Sequence, residues 1–129
     1  MRCFEMQDWA TIRGGSSIVT TTQSEHQWLD LSEYRDVTVW TEIKEATVGS
    51  GSVSVSFETC PSKDDALFAV AVTAFSAVPG VTVSVVHRDT ASVPLGRWLR
   101  WKVTQAGAGQ TWDVAFRIWV SAAGEKAGR

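Results

Sequence analysis

Residues 52–59 read Ser-Val-Ser-Val-Ser-Phe-Glu-Thr, so that Val53, Val55 and Phe57 alternate with serine. Successive side chains of a strand point to opposite faces, and this period of two predicts a strand with one face in the core and one in water. Such one-sided strands are typical of antiparallel sheets. The stretch therefore indicates an all-β, antiparallel fold.

The same alternation recurs at residues 37–44, 97–103 and 112–120. With the shorter runs, the sequence predicts about eight strands at roughly ten-residue spacing, which is typical of a β-sandwich or a barrel. We expect an antiparallel β-sandwich, with a hairpin formed by the last two strands around the glycine turn at 107–109. Residues 66–75 are apolar in both registers, which predicts a strand covered on both faces.

Composition agrees with this fold class. Seventeen valines, 13 threonines and 13 serines stand against five leucines in 129 residues, and β-branched residues favour strands. The length predicts one domain: an N-terminal arm or short edge strands at 1–24, a sandwich at 25–121 and a mobile tail at 122–129.

Charge is unevenly distributed along the chain. Residues 1–65 carry a net charge of −6, residues 66–86 carry none, and residues 87–129 carry +4. Either the two halves meet inside one sandwich and neutralise each other, or opposite-sign faces dock between subunits. Few basic residues and no basic run argue against a nucleic-acid partner.

Membrane insertion and secretion are not expected. Glu5 interrupts the position where a signal peptide would be apolar, and the uncharged run 66–87 alternates like buried strands. We expect synthesis in the cytoplasm.

Candidates for catalysis or metal binding are few. His26 and His87 are the only histidines, and Asp64-Asp65 lie in a polar loop that is more typical of a solvated turn than of a calcium or glycosidase site. Cys3 and Cys60 lack the spacing of a zinc site; we interpret them as free thiols, with a bridge between them as the alternative. The sequence predicts no enzyme, metal or cofactor.

Seven tryptophans are the unusual feature. Trp101 and Trp112 fall in the core register, and Trp28 is expected to close one end of the core. Trp40, Trp98 and Trp119 fall in the opposite register, and we predict that they form a binding surface together with Arg100 and Arg117. Two alternatives stay open: the N-terminal arm covers these indoles, or a bulge exchanges the two faces.

Three stretches resemble a known family. Residues 27–34, Gln-Trp-Leu-Asp-Leu-Ser-Glu-Tyr, resemble the W-x-D-L-x-x-Y motif of galactose-binding-like jelly-roll modules. Residues 96–103 are similar to their R-Y-L-R strand, and residues 53–61 to their L-x-L-E-T-S-P-D segment, with Cys60 at the serine position. The combination resembles small structural proteins of tailed-phage and prophage gene clusters.

The resemblance implies a jelly-roll-like β-sandwich that serves as a decoration or accessory protein on a capsid or tail, assembled as a homo-oligomer at a virion surface. Its partners would be further copies of itself and a capsid or tail lattice protein. The alternative is a carbohydrate-binding module that binds a glycan through its surface tryptophans.

Overall fold

The computed structural model describes residues 2–15, 20–48, 51–87, 93–106 and 111–124. Nine strands lie in these ranges: β1 (Arg2–Gly14), β2 (Thr20–Thr22), β3 (Leu29–Asp30), β4 (Asp36–Val48), β5 (Ser52–Cys60), β6 (Ala69–Ser76), β7 (Gly80–His87), β8 (Trp98–Ala106) and β9 (Trp112–Ala123). Two 3-10 turns, Glu25–Gln27 and Asp65–Leu67, are the helical segments of the same ranges. Neither turn has the length to cross a membrane.

The strands form two antiparallel sheets packed face to face. One sheet has the order β1-β9-β4-β7, and the other has the order β2-β8-β5-β6, with the short β3 also paired to β8. Of the connections between the described strands, β2–β3 and β5–β6 stay within one sheet and the other six cross to the opposite sheet, which is the connectivity of a jelly roll. The predicted antiparallel β-sandwich of about eight strands is confirmed.

The predicted hairpin of the last two strands is wrong. β8 pairs with β5 in one sheet, whereas β9 lies between β1 and β4 in the other. Alternation shows which side chains face inward, but it does not show which sheet a strand joins. The glycine turn at 107–109 lies outside the described residues.

The inner faces of both sheets form one hydrophobic core. Trp101 of β8 and Phe116 of β9 meet across it edge to face, with ring centroids 5.1 Å apart. Trp101 and Trp112 are both buried, as their register predicts. The other core residues include Leu31, Val39, Ile43, Val55, Phe57, Leu99, Val103, Val114 and Ile118.

β6 departs from its sequence pattern. The prediction of a strand covered on both faces is wrong, because β6 is the edge strand of its sheet, where Ala71, Val72 and Phe75 are only partly buried against the core. Val70 on the other face is half exposed. Three of the six apolar residues of β6 are alanines, which expose little apolar area at a sheet edge.

Residues 2–14 lie at the edge of a sheet. β1 pairs with β9 from Arg2, opposite Ala122, to Gly14, opposite Trp112. It thus forms one edge of the four-stranded sheet and does not fold over the outer face of that sheet. β9 continues to Ala123, two residues past its predicted end, and the remaining tail beyond Gly124 lies outside the described residues.

A close backbone contact precedes β8. Gly96 donates its N–H to Thr59 Oγ1 at 2.8 Å, and that hydroxyl donates to the carbonyl of Trp98 at 2.8 Å. A Cβ on Gly96 would lie 2.8 Å from the backbone carbonyl of Cys60. Only glycine allows β5 and the segment before β8 to approach this closely.

We expect Gly96→Ala to lower the free energy of unfolding by about 1–3 kcal/mol, because the methyl group must displace the Cys60 backbone. Urea denaturation measures this loss. Gly15→Ala is the matched control, since a Cβ there meets no atom within 4 Å. Equal stabilities of the two variants would contradict the interpretation of Gly96 as a packing requirement.

Candidate functional site

The five predicted surface residues lie on two opposite faces of the sandwich. Trp40, Arg117 and Trp119 project from the outer face of the four-stranded sheet, on β4 and β9. Trp98 and Arg100 project from the outer face of the other sheet, on β8. They therefore do not form one continuous surface, although each belongs to an outward register.

The outer face of the four-stranded sheet carries the exposed apolar residues. Trp40 is paired directly with Trp119 on one side and with Val83 of β7 on the other. The indoles of Trp40 and Trp119 are 39% and 41% exposed. Val81, Val83 and Val85 lie along the edge strand β7 and are 50–60% exposed. We call these five residues the apolar face.

Sequence reasoning missed the three valines of the apolar face. The alternation in β7 predicted a buried strand, whereas its Gly80–His87 span is a sheet edge with Val86 turned to the core. An uncharged alternating strand looks the same whether its second face is covered or bare. The lack of charged residues at 80–86 was the sequence feature that could have indicated an exposed apolar strand.

The apolar face ends at an ion pair. Arg117 donates from Nε to Glu42 Oε1 at 2.8 Å, and its Nη2 lies 2.7 Å from the same oxygen. On the far side, the Arg117 guanidinium lies 4.9 Å from the ring centre of Trp9, which is also exposed. Arg117 is thus held between Glu42 and Trp9.

The other outer face is covered by its own chain. Arg100 is buried on β8, where Nε donates to Glu58 Oε1 at 2.9 Å and Nη1 pairs with Asp65. Phe68 lies 3.8 Å from the guanidinium and Trp28 lies 5.3 Å from it. The geometry leaves Arg100 with internal partners, so its charge stabilises the fold of the segments around it.

Trp28 is buried in a different place from the one predicted. It packs edge to face on Phe68, at 4.7 Å, and donates its indole N–H to the carbonyl of Gln23 at 2.8 Å. It therefore covers the outer side of the five-stranded sheet instead of closing the core. The sequence shows a tryptophan in an irregular region, but not which side of the sheet that region crosses.

Trp98 is half-buried between cations. Lys63 and Arg97 lie 4.7 Å and 5.1 Å from its ring centre. Arg97 in turn pairs with Asp30, donating from Nη2 at 3.1 Å. This indole is less open than Trp40 or Trp119.

The polar loop after β5 has structural roles. Asp64 accepts the N–H of Ala66 and caps the following 3-10 turn, while Asp65 pairs with Arg100. The buried Cys60 thiol donates to the carbonyl of Ser62 at 2.6 Å. Cys3 and Cys60 are free thiols, as predicted. Within the described ranges, no group of three acidic, histidine or cysteine side chains is placed to hold a metal ion.

Acidic residues of the first half of the chain pair with basic residues of the last part within the sandwich. Asp30, Glu42 and Glu58 come from the acidic first half, and they pair with Arg97, Arg117 and Arg100 of the basic last part. His87 likewise lies 2.8 Å from Asp36. Neutralisation inside one subunit thus accounts for much of the asymmetry.

Comparison with known proteins finds likeness at the level of structure. No family model and no curated protein matches the sequence. The K1 cleaved adhesin domain of Lys-gingipain from Porphyromonas gingivalis W83 matches with a TM-score of 0.49 and 10% identity, over 95% of this chain and 98% of that one.

Two other matches are more distant. A structure of Bacillus endospore appendages, described as disulfide-linked pili, matches at 12% identity with a TM-score of 0.34, over 95% of this chain and 92% of that one. The carbohydrate-binding module TmCBM61, in complex with β-1,4-galactotriose, matches at 10% identity with a TM-score of 0.36, over 92% and 90%. At these values, nothing about ligand or partner carries over to this chain.

We expect Arg100→Met to lower the free energy of unfolding by about 3 kcal/mol, because it leaves the Glu58 carboxylate buried without its main partner. Urea denaturation measures the loss. Arg97→Met is the matched control, since that arginine pairs with Asp30 at the surface, where ion pairs contribute little. A loss in the control as large as that in Arg100→Met would contradict the structural role of the buried pair.

The Arg97 hydrogen bonds hold the pKa of Asp30 below its usual value of 3.8, and the Ser32 N–H acts in the same direction. A carboxyl whose folded-state pKa is lowered stabilises the fold above the unfolded pKa, and this contribution disappears as the pH falls through the lowered value. We expect Arg97→Gln to raise the Asp30 midpoint in a carboxyl-carbon NMR titration. An unchanged midpoint would show that Arg97 is not the cause.

Proposed function

We propose that this protein is a non-enzymatic structural module that binds further copies of itself and a larger protein lattice. The observation that carries the proposal is the apolar face. Monomeric proteins seldom expose large aromatic and aliphatic side chains side by side, and such patches usually mark contact surfaces. Here two indoles and three valines occupy neighbouring positions on three adjacent strands.

The edge position of β7 supports self-association. An edge strand presents unpaired backbone N–H and C=O groups, and proteins commonly protect such edges with lysine, proline or bulges. β7 carries none of these between Gly80 and Val86, and its pairing with β4 is regular. A second copy in antiparallel orientation would place valine opposite valine and meet no like charge.

The kind of assembly follows from the sequence resemblance to phage structural modules. We propose a decoration or accessory subunit, made in the cytoplasm and located on a capsid or tail. The apolar face would also bind the lattice protein. The ion pair of Arg117 and Glu42 at its border would supply the polar rim that is usual in protein interfaces.

Carbohydrate recognition is the second candidate. It is favoured by Trp9, a third exposed tryptophan on this face, which stands beside a hollow lined with polar side chains. Aromatic rings with a few hydrogen-bonding neighbours are the usual components of a sugar site.

We expect Val83→Lys to weaken self-association by more than about tenfold, because a lysine at the centre of the edge strand must be desolvated in the contact. Sedimentation velocity over a concentration series measures the monomer fraction. We expect the double substitution Trp40→Ala, Trp119→Ala to act in the same direction.

Trp98→Ala is the control, because that indole projects from the opposite sheet. Far-UV circular dichroism verifies that each variant keeps the wild-type fold. A wild-type protein that stays monomeric at every concentration, both alone and with its lattice partner, would overturn the proposal.

A further inference from the structure

A hollow of about 310 Å³ opens on the outer face of the four-stranded sheet, beyond the ion pair that borders the apolar face. Its lining residues are Trp9, Ala10, Thr11, Lys44, Glu45 and Ala115. This volume lies at the lower end of the range for small-molecule sites. It is large enough for one or two sugar rings.

Irregular pairing on both sides of β9 creates the hollow. β1 shifts register between Gln7 and Ala10, and β4 shifts between Ile43 and Glu45. Beyond these shifts, Thr11 and Glu45 both lie opposite Ala115, so the smallest side chain stands between two longer polar ones. Bulges redirect side chains and are common beside functional sites.

Trp9 is fixed in position although it is 43% exposed. Its backbone N–H donates to Asp8 Oδ1 at 2.8 Å, and the guanidinium of Arg117, itself held by Glu42, lies against its ring. Lys44 Nζ lies 6.0 Å from the same ring centre. An aromatic wall that is already oriented loses little conformational entropy when a ligand stacks on it.

The charges around the hollow favour an uncharged ligand. Lys44 and Glu45 carry opposite charges, and Arg117 is neutralised by Glu42. An indole that contacts the C–H face of a sugar, beside a hydroxyl, a carboxylate and an ammonium group that bond to its hydroxyls, suits a neutral saccharide. We infer that the hollow beside Trp9 binds a neutral oligosaccharide, an inference that rests on the second of the two proposed functions.

The test is a titration of the ¹⁵N-labelled protein with cellotriose, maltotriose, chitotriose and β-1,4-galactotriose, followed through the indole N–H signals of the seven tryptophans. The expected result is a saturable shift of the Trp9 signal with at least one of these sugars. We expect Trp9→Ala to weaken binding of that sugar at least about tenfold, as measured by calorimetry.

Two variants separate the site from its surroundings. Ala115→Leu places a larger side chain in the hollow and leaves the Trp9 indole in place. It should abolish sugar binding while the fold remains intact. Trp40→Ala removes an equally exposed indole of the same face and should leave binding unchanged. If Trp9→Ala fails to fold, Glu45→Gln tests the same hollow, because it removes the carboxylate and keeps the shape of the side chain.

The inference is overturned by the absence of a saturable shift with all four sugars at millimolar concentration, or by a shift centred on Trp40 instead of Trp9. Binding confined to a sulfated disaccharide, included as an anionic probe, would also overturn it. Sedimentation of Trp9→Ala should match the wild type. A failure of sugar binding is therefore distinguishable from a failure of self-association.

Discussion

The position of Trp101 determines how the two sheets meet. Its ring packs against Phe116 of the opposite sheet, and its indole N–H donates to Gln7 Oε1 of β1 at 3.1 Å. Its backbone carbonyl accepts the N–H of Gln23 at 3.1 Å. One residue thus joins β8 to both β9 and β1 and holds the segment after β2. Large aromatic side chains contribute most to such cores, and their hydrogen bonds fix the geometry.

The outer faces of the two sheets differ in how much of their surface the chain itself covers. On the five-stranded sheet, the buried Arg100 gathers Glu58, Asp65, Phe68 and Trp28, so that segments on either side of the sheet cover it. On the four-stranded sheet, the aromatic and valine side chains stay open. A buried ion pair that lacks good geometry would cost more than it contributes, which explains why Arg100 has several partners.

Period-two patterns were sufficient to predict strands, the inward positions of Trp101 and Trp112, and the outward positions of Trp40 and Trp119. They could not show which strands share a sheet, so Trp98 and Arg100 were grouped with residues from the opposite face. The burial of Arg100 depends on Asp65 and Phe68, which lie in a loop that looks solvated in the sequence. The hollow beside Trp9 results from register shifts, which have no signature in hydrophobic alternation.

The arrangement of β8 and β9 has a consequence for the order of folding. These two strands come last in the described chain, yet each lies inside its sheet: β9 between β1 and β4, and β8 between β2 and β5. During synthesis, β4 can pair with β7 and β5 with β6, whereas β1, β2 and β3 must wait for β8 or β9. β1 finds its neighbour about a hundred residues later, a separation that is typical of slow folding. The nascent chain therefore carries β1 unpaired for most of its translation, and chaperone binding would be most useful during that interval.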